Sequence, residues 1–178
     1  MILGIDPGTV ITGWGVVQVI GSALRHAGHG TINSSQAEPQ AVRLSRIFNG
    51  LTKVLREYQP DGVSLEKVFF ALNVQSALKL GQARGVALLA AAEQGIDVHE
   101  YAAVEIKSAV VGNGHATKQQ VQMMIGSLLR VSGRVPVDAA DALAAAICHL
   151  NRQNFQARVA EALPKRPTPI RPRGTRVR

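Results

Sequence analysis

The chain is predicted to be an α/β protein, with a five-stranded mixed sheet flanked by helices. Three observations predict it. The first fifth reads as three consecutive strands, helix and strand patterns alternate after that, and the later part is helical. A length of 178 residues with 46% apolar content is enough for one domain with a substantial core.

MILGID (1–6) is a short buried strand, and Pro7-Gly8-Thr9 after it is turn chemistry. Strands over about 13–19 and 27–32 complete an antiparallel meander. Ser35-x-x-Glu38 has the form of a capping box, and with Pro39 beside it predicts a helix start. Leu44, Ile47, Phe48, Leu51, Val54, Leu55 and Tyr58 then keep helical spacing up to Pro60. Gly62–Glu66 is a fourth strand, with Ser64 and Glu66 on one face. A long helix over 73–94 leads through Gly95 to a fifth strand over 96–101. Helices over 103–111, 117–131 and 136–151 follow, and no segment repeats.

The net charge of +8 is uneven. Residues 155–178 hold seven Lys or Arg against one Glu, so +6 falls there and +2 on residues 1–154. The expected organisation is a folded unit over 1–152 and a basic, Pro-rich, disordered tail over 153–178. Such a tail attracts polyanions or serves only as a solvated extension. No apolar run approaches the roughly 20 residues of a membrane span. The N-terminus does not read as a signal peptide, so a cytoplasmic location is expected. The single cysteine, Cys148, excludes an internal disulfide and reads as a buried apolar thiol.

Four acids stand in apolar contexts. Asp6 closes the first strand, Glu66 closes GVSLE, and Asp138 and Asp141 open PVDAADALAAAICHL. No basic residue lies within ten positions of Asp6, and the nearest to Asp141 is Arg134. Desolvating a carboxylate costs several kcal/mol unless a partner or cation compensates. Asp138 and Asp141 are three apart on a helix, so they share a face and repel each other. Pro136 suits a first helical position and places Asp138 in the first turn. Hard oxygen ligands without nearby His or Cys favour Mg²⁺, with Mn²⁺ able to substitute, over zinc. Two such ions would suit hydrolysis of a phosphodiester. Taken singly, Asp138 also fits a helix-terminus acid and Asp6 a turn residue.

GIDPGTVITGWG, LEKVF, NVQSALKLGQARGVA, EYAAVEIKSAVVGNGHATKQQVQ and DAADALAAAICH, in that order over about residues 1–150, resemble the RuvC-type Holliday junction resolvases. The resemblance implies a ribonuclease H-like fold and a homodimer that cuts four-way DNA junctions with a divalent metal. Its products would carry 5′-phosphate and 3′-hydroxyl ends, and its family partners are RuvA and RuvB. It implies Asp6, Glu66, Asp138 and Asp141 as catalytic metal ligands, Lys107 and Lys118 as catalytic, DNA-binding basic residues, and Phe69 as a DNA-contacting aromatic. Lys107 and Lys118 flank the Gly-rich VVGNG, where backbone can approach a phosphate. The small-residue stripe Ala77, Gly81, Gly85 suits close helix packing, either on its own sheet or, as the resemblance implies, between subunits. Lys67, Ala103, His115 and Thr117 depart from the family pattern without removing an acid.

Two readings of other classes compete. GIDPGT also resembles the phosphate loop of actin-like ATPases and sugar kinases, but the chain lacks their length and second Gly-rich motif. A non-catalytic DNA-structure-binding module would have little use for four acids facing phosphate. His26, His29, His99 and His149 lack metal-ligand spacing, and Trp14 reads as a packing residue.

Overall fold

The structure, a computed structural model, describes residues 1–67 and 74–162. Among them the strands β1 (Ile2–Asp6), β2 (Ile11–Ile20), β3 (Ala23–Asn33), β4 (Gly62–Glu66) and β5 (Val98–Tyr101) form one mixed sheet in the order β3-β2-β1-β4-β5. β1, β2 and β3 are antiparallel neighbours, and β4 and β5 join parallel to β1. This mixed sheet, covered by helices on both faces, is the ribonuclease H-like arrangement.

Alternation along each strand sorts residues between the two faces. Leu3, Ile5, Val16, Val63 and Leu65 point to α1 (Gln40–Tyr58) and α2 (Val74–Ala92), which supply Ile47, Leu51, Leu55, Ala83 and Ala87. Ile2 and Val17 point the other way, to α3 (Ala103–Val111), α4 (Lys118–Leu129) and α5 (Val137–Ala162). Asp6 and Glu66 occupy the parity of this second face.

α5 lies almost directly on the sheet because the floor beneath it is made of small residues. A Cβ on Gly4 would stand 1.8 Å from the Ala142 carbonyl oxygen, and one on Gly13 2.0 Å from that of Asp138. A Cβ on Gly15 would meet the Leu143 side chain at 2.5 Å. Ser64, fully buried in β4, donates its hydroxyl to the Ala145 carbonyl at 2.7 Å. The Ala-rich run of α5 is the matching half of this contact, every residue from Ala142 to Leu150 being buried. One helix thus locks its own register onto β1, β2 and β4.

Several boundaries differ from the sequence pattern, each for a local reason. Only half of that box forms: Ser35 N–H donates to Glu38 Oε2 at 2.8 Å, while the Ser35 hydroxyl accepts from the Ala37 N–H at 3.2 Å. That turn stands before α1 rather than capping it, and the helix starts at Gln40 behind Pro39. The complete capping box is Thr117 with Gln120 at the start of α4, with bonds of 3.3 and 2.8 Å. β3 begins at Ala23, earlier than its apolar core suggests, because its polar residues still pair with β2. α5 runs on to Ala162 instead of stopping at 151, since RQNFQARVAEA contains helix formers and no Gly or Pro. These last turns are exposed.

On α2 a Cβ at Gly81 or Gly85 would meet nothing within 4 Å, so the small-residue stripe does not pack on its own sheet. Val74, Leu78 and Leu89 are 74%, 64% and 51% exposed on this helix. Trp14 packs against Tyr58, ring centroids 5.7 Å apart. Cys148 is buried, and burial pushes its thiol up to about 11. Among the described residues no helix is long and apolar enough to cross a membrane.

Candidate active site

The four acids converge at one end of the sheet. β1 and β4 are parallel neighbours with Ile5 opposite Leu65, so the next residues, Asp6 and Glu66, leave adjacent carboxyl ends of the two strands. Asp6 also stands opposite Gly13 of β2, and the Asp138 carbonyl rests on Gly13. The contact that seats α5 therefore delivers its first turns, with Asp138 and Asp141, beside Asp6. α4 then brings Lys118, whose Nζ lies 3.3 Å from Asp141 Oδ2.

The electrostatics record this convergence. Burial, then the charges of Asp141, Asp138 and Glu66, raise the Asp6 carboxyl from 3.8 to about 7, against a smaller pull from Lys118. Glu66 is pushed up by desolvation and by Asp141, with Lys118 and Lys107 opposing. It sits at the solvent-facing rim, so neighbouring atoms rather than full enclosure desolvate it. Lys118 is raised chiefly by Asp141. Glu66, Lys107, Lys118 and Asp141 line one cleft of about 230 Å³, with Ala103, Ile106, Val121 and Ala144 as its apolar wall.

The structure thus brings together all four acids and both lysines. Phe69 lies outside the described residues, as does Phe70. His26 bonds His29 at 2.7 Å, and His149 bonds the Tyr101 hydroxyl at 2.7 Å, Tyr101 standing opposite Glu66 in the β4–β5 register. Among the residues the sequence did not single out, Arg84 donates to the Glu66 carbonyl at 3.1 Å and pairs with Glu100. Arg43 donates to the Thr9 carbonyl in the turn after Asp6, at 2.9 and 2.8 Å. A basic residue on the buried stripe of a helix was the available signal for Arg43.

The family model for the crossover junction endodeoxyribonuclease RuvC matches residues 2–149. The chain belongs to the RuvC family. It is 51% identical over 150 residues to the RuvC of Geobacter metallireducens, covering 84% of this chain and 92% of that one. Against the RuvC of Pelobacter propionicus it is 50% identical over 167 residues, covering 94% and 95%. Among solved structures, Thermus thermophilus RuvC in complex with a Holliday junction substrate superposes with a TM-score of 0.80 at 36% identity, covering 89% of this chain and 95% of that chain. The family match favours neither an ATP-binding protein nor a non-catalytic binder.

RuvC-family nucleases are metal-dependent, and the donor set here fits a hard divalent cation. It consists of carboxylate oxygens only, and burial together with repulsion from the other acids raises Asp6 to about 7. Among the described residues no three His, Cys, Asp or Glu are drawn close enough to grip an ion as they stand.

Proposed function

We propose that the chain is a structure-selective endonuclease that resolves four-way DNA junctions by metal-dependent hydrolysis of phosphodiesters on opposing strands, in recombination and repair. The observation that carries this is the convergence of Asp6, Glu66, Asp138 and Asp141 at one sheet end. We assign these four as the ligands of Mg²⁺, two ions per subunit, with Mn²⁺ able to substitute. Bound there, the ions would supply Lewis-acid chemistry toward water and toward the departing 3′ oxygen.

The protein's own groups define the rest. Asp6, half-buried and raised to about 7, must release its proton before the ligand set is complete. Lys118 and Lys107 border the cleft from α4 and α3, where they can contact the strand and offset charge developing on the phosphate. The apolar wall of Ile106, Val121 and Ala144 limits water on that side. Products with 5′-phosphate and 3′-hydroxyl ends are expected. Phe69 is assigned to DNA contact on family resemblance alone.

Paired cuts require two sites, and the exposed face of α2 is suited to a two-fold contact with a second copy. Its open glycines allow close approach, and Val74, Leu78 and Leu89 supply apolar area. We assign residues 1–152 to the nuclease unit and 153–178 to a basic tail. RuvA and RuvB as partners, and a cytoplasmic location, are assigned on family resemblance alone. A cleavage assay on a synthetic four-way junction beside linear duplex, with and without Mg²⁺, tests the proposal. Junction-selective, Mg²⁺-dependent cutting is expected, and equal cutting of both DNAs would contradict it.

A further inference from the structure

Arg43 has no place in the chemistry above, yet its position is unusual. It lies in the first turns of α1 and is only 7% exposed. Among the described residues no carboxylate pairs with it. Its Nε and Nη2 both donate to one acceptor, the Thr9 carbonyl, at 2.9 and 2.8 Å. The Ser34 hydroxyl donates to the same oxygen at 2.8 Å, and Ser34 N–H donates to the next carbonyl, Val10, at 2.8 Å. A buried guanidinium without an acid is costly, so a single turn carbonyl is a poor sole compensation.

The consequence appears on the other side of that peptide. No peptide bond among the described residues is cis. The Val10 N–H therefore points opposite to the Thr9 carbonyl, away from Arg43 and Ser34. No hydrogen bond engages the Val10 N–H or the Thr9 N–H among the described residues. Thr9 and Val10 are half-buried, and Ile11 beside them is 41% exposed, so the turn is open to a ligand. The turn spans only Pro7–Val10, directly after Asp6, at the sheet end where the acids gather. A cation behind a peptide polarises it, so the opposite N–H becomes a stronger donor toward an anion.

We propose that the Thr9–Val10 peptide is a phosphate contact for the strand being cut, with Arg43 as its positioning residue. Arg43 and Ser34 fix the peptide's orientation, and the Val10 N–H donates to a backbone phosphodiester next to the one at the acids. The phosphate meets the peptide from the side opposite Arg43, so the guanidinium acts on it through the peptide dipole. It requires no base identity, so it sets the register of the strand rather than its sequence. The inference rests on the nuclease reading and adds a ligand to that same site.

The test is a double-perturbation cycle on junction binding, measured in Ca²⁺ so that binding is read apart from cutting. One partner is Arg43→Met, which keeps the stem and removes the charge and donors. The other is a set of junctions in which each phosphate flanking the cleaved one is replaced in turn by an uncharged methylphosphonate. A hydrogen bond to a charged group is worth roughly a ten- to hundredfold change in affinity. Arg43→Met should therefore weaken binding to the unmodified junction about tenfold, and a methylphosphonate at one flanking position should weaken the wild type by a similar factor. Combined at that position, the two should cost little more than either alone. Losses that multiply at every flanking position overturn the proposal.

Circular dichroism establishes whether Arg43→Met folds. If it does not, Ser34→Ala takes its place in the cycle, with an expected loss of about threefold and coupling at the same phosphate. Arg43→Lys, which keeps the charge, should recover part of the affinity. Wild-type cleavage of the unmodified junction in Mg²⁺ is run in parallel. Failure to cut counts against the nuclease reading, whereas cutting without coupling counts against this contact alone.

Discussion

Asp6→Asn is expected to stabilise the metal-free protein while abolishing its cleavage of junctions. The wild-type carboxyl is raised from 3.8 to about 7 by burial and by Asp141, Asp138 and Glu66. The folded state thus holds this proton more tightly than the unfolded state does. Linkage then fixes the sign: stability falls as pH rises between about 4 and about 7, and the full penalty is present above that window. At about 1.4 kcal/mol per pKa unit the unscreened penalty is about 4.5 kcal/mol. Allowing for partial exposure and solvent screening brings it to about 2–3 kcal/mol. Asparagine has a similar shape and no charge, so it removes the penalty, which for a chain of this size corresponds to a rise in Tm of roughly 5–10 °C at pH 8. At pH 5 the wild-type carboxyl is protonated and the difference should shrink. Mg²⁺ should raise the wild-type Tm at pH 8, since ligand binding to the folded state stabilises it, and raise that of Asp6→Asn much less. Differential scanning calorimetry of both proteins at the two pH values, with and without Mg²⁺, provides the measurement. If Asp6→Asn melts at or below the wild type at pH 8 without metal, the four acids do not strain one another and the reasoning fails.

Three further outcomes follow from the same geometry. Gly13→Ala places a Cβ 2.0 Å from the Asp138 carbonyl and must lift the start of α5; urea unfolding should show a loss of about 1–3 kcal/mol, with cleavage reduced far more than junction binding. Lys118→Ala removes the cation 3.3 Å from Asp141; calorimetric titration should show Mn²⁺ binding undiminished or tighter, while single-turnover cleavage falls on the order of a hundredfold or more. Burial and His99 lower His149 from 6.5 to about 4, so its neutral form is favoured in the fold, and stability should be lost as pH falls through that window; His149→Gln should flatten the acid limb of the stability profile.

How much of this was legible in the sequence depended on how local the cause was. β4 and α3 lie where the pattern placed them, because apolar alternation and helical spacing are encoded within each segment. The pairing of Asp6 with Glu66 was half legible: each closes a strand, but only the parallel pairing of β1 with β4 makes them neighbours. Asp138 and Asp141 share a helix face by spacing alone, whereas the delivery of that face to Asp6 depends on the missing side chains of Gly4 and Gly13. A glycine in a strand does not announce which backbone will rest on it. Ser35 and Glu38 carry the sequence form of a helix cap, yet a Glu side chain on a Ser N–H can equally close a free turn, as it does before α1. The exposed end of α5 was missed because burial, the signal followed, stops at Leu150 while helix propensity does not. The role of Arg43 is not legible in the sequence, since its partner is a backbone carbonyl and carbonyls carry no sequence signature.

The most direct test is diffraction from crystals grown with Mn²⁺, using its anomalous signal. Manganese is expected among the carboxylates of Asp6, Glu66, Asp138 and Asp141, with these side chains drawn inward from where they stand now. Crystals that hold Mn²⁺ only elsewhere on the surface, with this cluster vacant at saturating metal, would contradict the assignment of the active site.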